Sequence, residues 1–187
     1  MISSEHPIAV NLIKAAIKGG VPEADDLIRV VWPRAYRIAF SIVRNHTLAE
    51  DAAQEACSVL FRSIGQLRSV EAFGVWFYRI VVRQAVSLEK RNAPMLVEPD
   101  QGFKSNLEDA LLRVDICNAL ALLTQSQRIA IALHYYAEMN SREIADVLGL
   151  KDSSIRFHLM KAKRTLEQVL RGDGKPNAYL EVPRGAA

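Results

Sequence analysis

The side chains of this 187-residue chain that can do chemistry are mostly cations at helical spacing, and they gather towards its C-terminal end. Residues 141–166, SREIADVLGLKDSSIRFHLMKAKRTL, read as a helix-turn-helix with a basic second helix. Ala145 is small where the first helix must approach the second. Gly149 stands where the chain needs a positive φ to leave that helix. Leu150 and Ile155 are expected to plug the angle between the helices. Ile155, Leu159, Ala162 and Leu166 recur at i, i+4, i+7 and i+11 and form one buried stripe. At about 100° per residue, the opposite face carries Ser153, Phe157, Met160, Lys161 and Arg164, flanked by Arg156, His158 and Lys163. Residues 151–171 hold six Lys/Arg against two Asp/Glu, whereas residues 107–146 hold three against six. Charge is therefore polarised onto the final helix, as contact with phosphates requires. Such a unit can lay its second helix in the major groove of DNA. A solvated basic face closing a bundle is the blander reading, and the Ala/Gly/Ile turn pattern favours DNA.

Two more clusters precede it. Glu50, Asp51, Gln54 and Glu55 lie close together, with Asp51 and Glu55 one helical turn apart and Ala52, Ala53, Ala56, Val59 and Leu60 on the apolar side. Carboxylates at that spacing repel, so a cationic partner is expected. The helix dipole accounts for Glu50 and Asp51 at a first turn, but less well for Glu55. Further on, aromatics and arginines interleave: Phe73, Trp76, Phe77, Tyr78, Arg79, Arg83, Lys90 and Arg91. Such a surface can stack on unpaired bases and hold phosphates. Phe73, Phe77 and Ile80 are spaced as core residues. For Tyr78, Arg79 and Arg83, a packed helix with snorkelling arginines is an equal alternative.

The elements that must position these groups are all helical in period. Residues 7–18 form an amphipathic helix ended by Gly19 and Gly20. Residues 25–45 form the next, with Pro33 as a kink or restart. Thr47 reads as an N-cap with Glu50 three residues on, opening a helix over 48–63 that stops at Gly65. Ser69 caps a long helix to about Arg91. Residues 92–106 hold two prolines and one glycine without helical period, and read as a linker. Helices over 107–123 and 125–137 lead into the helix-turn-helix, and the Gly/Pro-rich residues 172–187 read as a disordered tail. The expected fold is all-α: a domain over 1–91, a flexible linker over 92–106, a helix-turn-helix domain over 107–171 and a tail.

Composition narrows the classes. Half the residues are apolar and net charge is only +3, so nucleic-acid contact must come from local patches. Cys57 and Cys117 lack metal spacing and read as buried, reduced thiols. No apolar run reaches membrane-spanning length and no signal segment opens the chain, so a soluble cytoplasmic protein without membrane insertion is expected. No glycine-rich phosphate loop, His/Cys metal cluster or nucleophile elbow is present. No cofactor, metal or catalytic activity is expected. His46 and His134 are isolated, and Tyr135 and Tyr136 read as packing residues.

Together these parts resemble one family. LAEDAAQEACSVLFRSIGQLRSVEAFGVWFYRIVVRQAV resembles the second conserved region of bacterial RNA polymerase sigma factors. LLTQSQRIAIALHYYAEMNSREIADVLGLKDSSIRFHLMKAKRTLEQVL resembles their fourth. With only a short linker between, the chain is similar to the extracytoplasmic-function (ECF) class of the sigma-70 family. The resemblance implies that Asp51, Gln54 and Glu55 dock on core RNA polymerase. It implies that Trp76, Tyr78, Arg79 and Arg83 read and melt the minus-ten region. It implies that Ser153, Ser154, Arg156, Phe157, His158, Lys161, Lys163 and Arg164 meet the minus-thirty-five element. Partners would be core polymerase, promoter DNA and an anti-sigma factor.

The chain departs from the family pattern at Lys151, where many relatives have Ser or Thr, and at His158, where many have arginine; Asp152 is expected to take over the N-cap. Phe157 and Met160 on the groove face are also unusual. A sigma-like mimic, or a helix-turn-helix regulator acting without promoter melting, is the alternative.

Overall fold

The computed structural model describes residues 7–19, 21–91 and 119–170, and every regular element among them is helical. Helix α1 (Pro7–Ile17) gives way to Gly19 at φ +92°. Helix α2 (Val21–Val43) begins four residues before the expected start, because Pro22 is tolerated in a first turn, where its missing N–H has no partner. It also runs through Pro33 without a restart. Val31, Ala35, Ile38, Ala39 and Ile42 are buried on either side of it, and that packing outweighs one lost backbone hydrogen bond.

Helix α3 (His46–Ser63) corrects the expected cap. Arg44 takes φ +53° and sets Asn45 in an extended conformation. The Asn45 side chain then accepts from the Leu48 amide at 2.9 Å, so Asn45 is the cap and Thr47 lies inside the first turn. Ala49, Ala52, Ala53 and Ala56 are wholly buried. These small side chains let α3 seat closely on α2. A 3₁₀ turn (Ile64–Gln66) follows. Ser69 Oγ accepts from the Ala72 amide at 3.3 Å, capping the turn that leads into α4 (Phe73–Arg91). Phe73 and Phe77 are fully buried and stack on each other, ring centres 5.6 Å apart.

In the C-terminal half, α5 (Gln125–Tyr136) opens on a reciprocal box between Thr124 and Gln127, and α6 (Ser141–Leu148) on one between Asn140 and Glu143. Gly149 at φ +65° ends α6 in the left-handed conformation, and α7 (Asp152–Leu170) follows. Two expectations fail here. Leu150 is 46% exposed. Its amide bonds back to the Ala145 carbonyl while its side chain faces out, and Ile144, Val147 and Ile155 fill the angle instead. Asp152 is the first helical residue and not the cap: the amides of Ser154 and Ile155 both bond the Lys151 carbonyl.

Helix α2 is central. It packs on α1, α3 and α4 on its own side, and on α5 across the chain, while α4 meets α6. The buried apolar residues of both halves join in one cluster. The expected linker, the tail, most of the helix before Leu123, and Cys117 lie outside the described residues. The cap assignment predicts that Asn45→Ala lowers unfolding free energy by about 1 kcal/mol in urea denaturation, whereas Thr47→Ala changes it by less than about 0.5 kcal/mol.

Candidate nucleic-acid and polymerase interfaces

Helix α7 divides as its spacing predicts. Ile155 and Ala162 are fully buried, Leu159 is 9% exposed and Leu166 packs against the core. Ser153, Arg156, Phe157, Met160, Lys161 and Arg164 are exposed, and Ser154 and His158 are intermediate. Arg156 pairs with Asp152 at 3.1 Å. The Lys161 ammonium sits 5.7 Å from the centre of the Phe157 ring. Lys163 turns away from this face. Its Nζ donates to His134 Nε2 at 3.4 Å and lies over the Tyr135 ring, which leaves His134 Nδ1 to donate to the Met139 carbonyl at 3.0 Å. Lys163 therefore ties α7 to α5, and the exposed cations of the groove face are Arg156, Lys161 and Arg164.

The acidic cluster is also at the surface. Glu50, Asp51, Gln54 and Glu55 are all exposed on α3. Asp51, Gln54, Glu55 and Ser58 of α3 line a shallow cavity of about 700 Å³, with Gln84, Leu88 and Arg91 of α4 on its other side. Glu55 finds a local partner in Arg62, 3.1 Å away. Both side chains are more than half exposed, so that pair is weak and can be exchanged for an incoming cation. Buried Cys57 faces the other way, and burial pushes its thiol up to about 11. It is thus an inert packing group.

The aromatic helix α4 is where the structure adds most. Arg83 is exposed and Trp76 is half-buried against the core. Tyr78 is 2% exposed. It lies beside α6, sharing a pocket with Ala137, Met139 and Glu143, and burial pushes its phenol above the ordinary range while the nearby Arg34 cation opposes this. Arg79 donates to the Asp146 carbonyl at the end of α6, and Arg34 pairs with Glu138 at 3.5 Å. In this arrangement two of the four residues expected to meet the minus-ten strand are therefore occupied by the chain's own helix-turn-helix.

The strongest polar link across the two halves involves residues that the sequence does not single out. Arg128 Nη2 donates to Glu89 at 2.7 Å, and its Nη1 donates to the Leu123 carbonyl at 2.9 Å. Gln125 donates to the other Glu89 oxygen. The Arg128 side chain is 8% exposed and that of Glu89 24%. Burial pulls the Arg128 guanidinium below its usual range; Glu89 opposes this and Arg44 adds repulsion. An arginine followed by IAIAL signals that a buried cation needs an anion. Its partner is 39 positions away, beyond what helical periodicity can find.

Comparison with known proteins adds to this geometry. Residues 27–93 match the family described as Sigma-70 region 2, and residues 113–166 match Sigma-70, region 4. Together the two matches cover more than half the chain. The RNA polymerase sigma factor SigV of Bacillus subtilis is 28% identical over 134 residues, spanning 70% of this chain and 81% of that protein. The ECF RNA polymerase sigma factor SigW of the same organism is 22% identical over 177 residues, spanning 85% and 95%. Two solved structures share the fold. One is of CnrH in complex with the cytosolic domain of CnrY, with TM-score 0.69 and 18% identity over 89% of this chain and 99% of that one. The other is of the sigma factor RpoE with the anti-sigma factor NepR from Bartonella quintana, with TM-score 0.64 and 19% identity over 80% and 98%.

The junction predicts that Glu89→Ala, which leaves Arg128 buried without its carboxylate, weakens closure of the two halves by about 2 kcal/mol. A fluorophore pair on α3 and α7 would report the longer distance. The double change Glu89→Leu with Arg128→Met should restore the short one, since apolar groups can replace a buried ion pair.

Proposed function

The chain belongs to the sigma-70 family, in its ECF group, and from that premise we propose that it gives core RNA polymerase its choice of promoter. The observation that carries this reading is one chain presenting, in order, an exposed acidic α3 and a helix-turn-helix whose exposed face is basic. The acidic residues Asp51, Gln54 and Glu55 dock on the polymerase, whose own cations replace Arg62 beside Glu55. Residues 1–91 act as the core-binding and minus-ten domain, and residues 107–171 as the minus-thirty-five domain.

Trp76, Tyr78, Arg79 and Arg83 hold unstacked bases of the displaced strand, offsetting a cost of a few kcal/mol for taking bases out of the stack. For this, α6 must leave α4, because in the closed arrangement Tyr78 is buried and Arg79 is bonded to the Asp146 carbonyl. Lys161 and Arg164 position α7 on phosphates, and base edges met by its groove face supply specificity. The chain contributes no catalysis of its own; the polymerase makes the bonds. It works in the cytoplasm, where polymerase and DNA are found. An anti-sigma factor that favours the closed arrangement would hold it inactive, in keeping with the RpoE relative seen with NepR.

Asp51→Lys combined with Glu55→Lys should weaken binding to core polymerase at least tenfold while circular dichroism stays unchanged. Unchanged affinity would remove the docking role. Lys161→Ala with Arg164→Ala should lower holoenzyme affinity for promoter DNA. It should also flatten the dependence of log K on log salt by about one for each phosphate no longer neutralised.

A further inference from the structure

The recognition helix carries an apolar pair on its groove face, where hydrogen-bonding side chains would be the ordinary readers of base edges. Phe157 is 52% exposed and Met160 is 56% exposed, and both lie on the face of α7 that points away from the core. The Phe157 ring is held on two sides. Lys161 rests over it, and the His158 ring meets it edge-on with centres 6.2 Å apart. Exposed apolar side chains with fixed neighbours, set among Arg156, Lys161 and Arg164, are suited to an anionic surface that carries apolar groups. Duplex DNA offers one such group in its major groove, the C5-methyl of thymine.

From these observations we infer that Phe157 and Met160 read thymine methyls, so that the minus-thirty-five element of this protein carries thymines on one or two adjacent base pairs. The inference rests on the proposed sigma-factor function. The two residues are three positions apart, about 4.5 Å along the helix axis, close to the separation of neighbouring base pairs. Neither side chain donates a hydrogen bond, and the Met160 thioether is only a weak acceptor. Opposite guanine, adenine or cytosine they would desolvate base-edge donors and acceptors without pairing them. Opposite thymine they bury a methyl.

The test uses the holoenzyme, formed from the full chain and bacterial core polymerase. Promoters are selected from a pool randomised around minus thirty-five, and affinity is then measured on the selected duplex with those thymines replaced by deoxyuridine. Each methyl removed should cost about fourfold in affinity, and deoxyuridine outside the element should cost nothing. The double variant Phe157→Ala with Met160→Ala should bind the thymine and deoxyuridine duplexes equally. Selection without thymine enrichment, or equal affinity for both duplexes with the unaltered chain, would overturn the inference while leaving the sigma-factor function intact. The same holds if the double variant leaves promoter selection unchanged. A chain that selects no promoter at all with core polymerase would overturn both.

Discussion

The Glu89 carboxylate, gripped by Arg128 and Gln125, is the interaction on which the closed arrangement depends. It joins the last turns of α4 to the first turn of α5, where the two halves of the chain meet. A guanidinium taken out of water is costly unless its partner stays in place. The pairing therefore adds little net stability, but removing one partner from it is costly. With this pair made, α5 lies on α2 and α6 lies on α4, Tyr78 is buried, and Arg79 is bonded to the Asp146 carbonyl of the helix-turn-helix.

This closure sorts the three functional surfaces. The acidic face of α3 and the groove face of α7 stay open to solvent, while on α4 Tyr78 is buried and Arg79 is bonded to α6. Under the proposed function, a free chain in this state would meet polymerase, or the outer promoter element, before Tyr78 and Arg79 could hold single-stranded DNA. A partner that binds the closed form holds the chain inactive in proportion to its preference for that form.

Much of this was legible in the sequence, for physical reasons that differ by element. The helix-turn-helix was readable because Gly149 has a single job and the stripe from Ile155 to Leu166 has a clear period. The exposed α3 carboxylates were readable because an unbalanced acidic turn stands out against an alanine-rich face. The cap at Asn45 was missed because it depends on Arg44 in the left-handed region, which no propensity favours. The outward Leu150 was missed because the chain reversal after Gly149 decides which side chain enters the angle. The tie of Lys163 to His134 and Tyr135, the burial of Tyr78 and the bond of Arg79 to the Asp146 carbonyl depend on contacts between distant segments. Such packing leaves no periodic trace.

The central claim is that this chain lets core RNA polymerase find and open a promoter. Permanganate oxidation of unpaired thymines in a promoter duplex tests it most directly. Reactive thymines should appear around the minus-ten region only when core polymerase and this chain are both present. They should be lost when Trp76 and Arg83, two residues of that surface, are replaced by alanine. A duplex that stays unreactive on every promoter of the source genome, with the chain bound to core polymerase, would contradict the account.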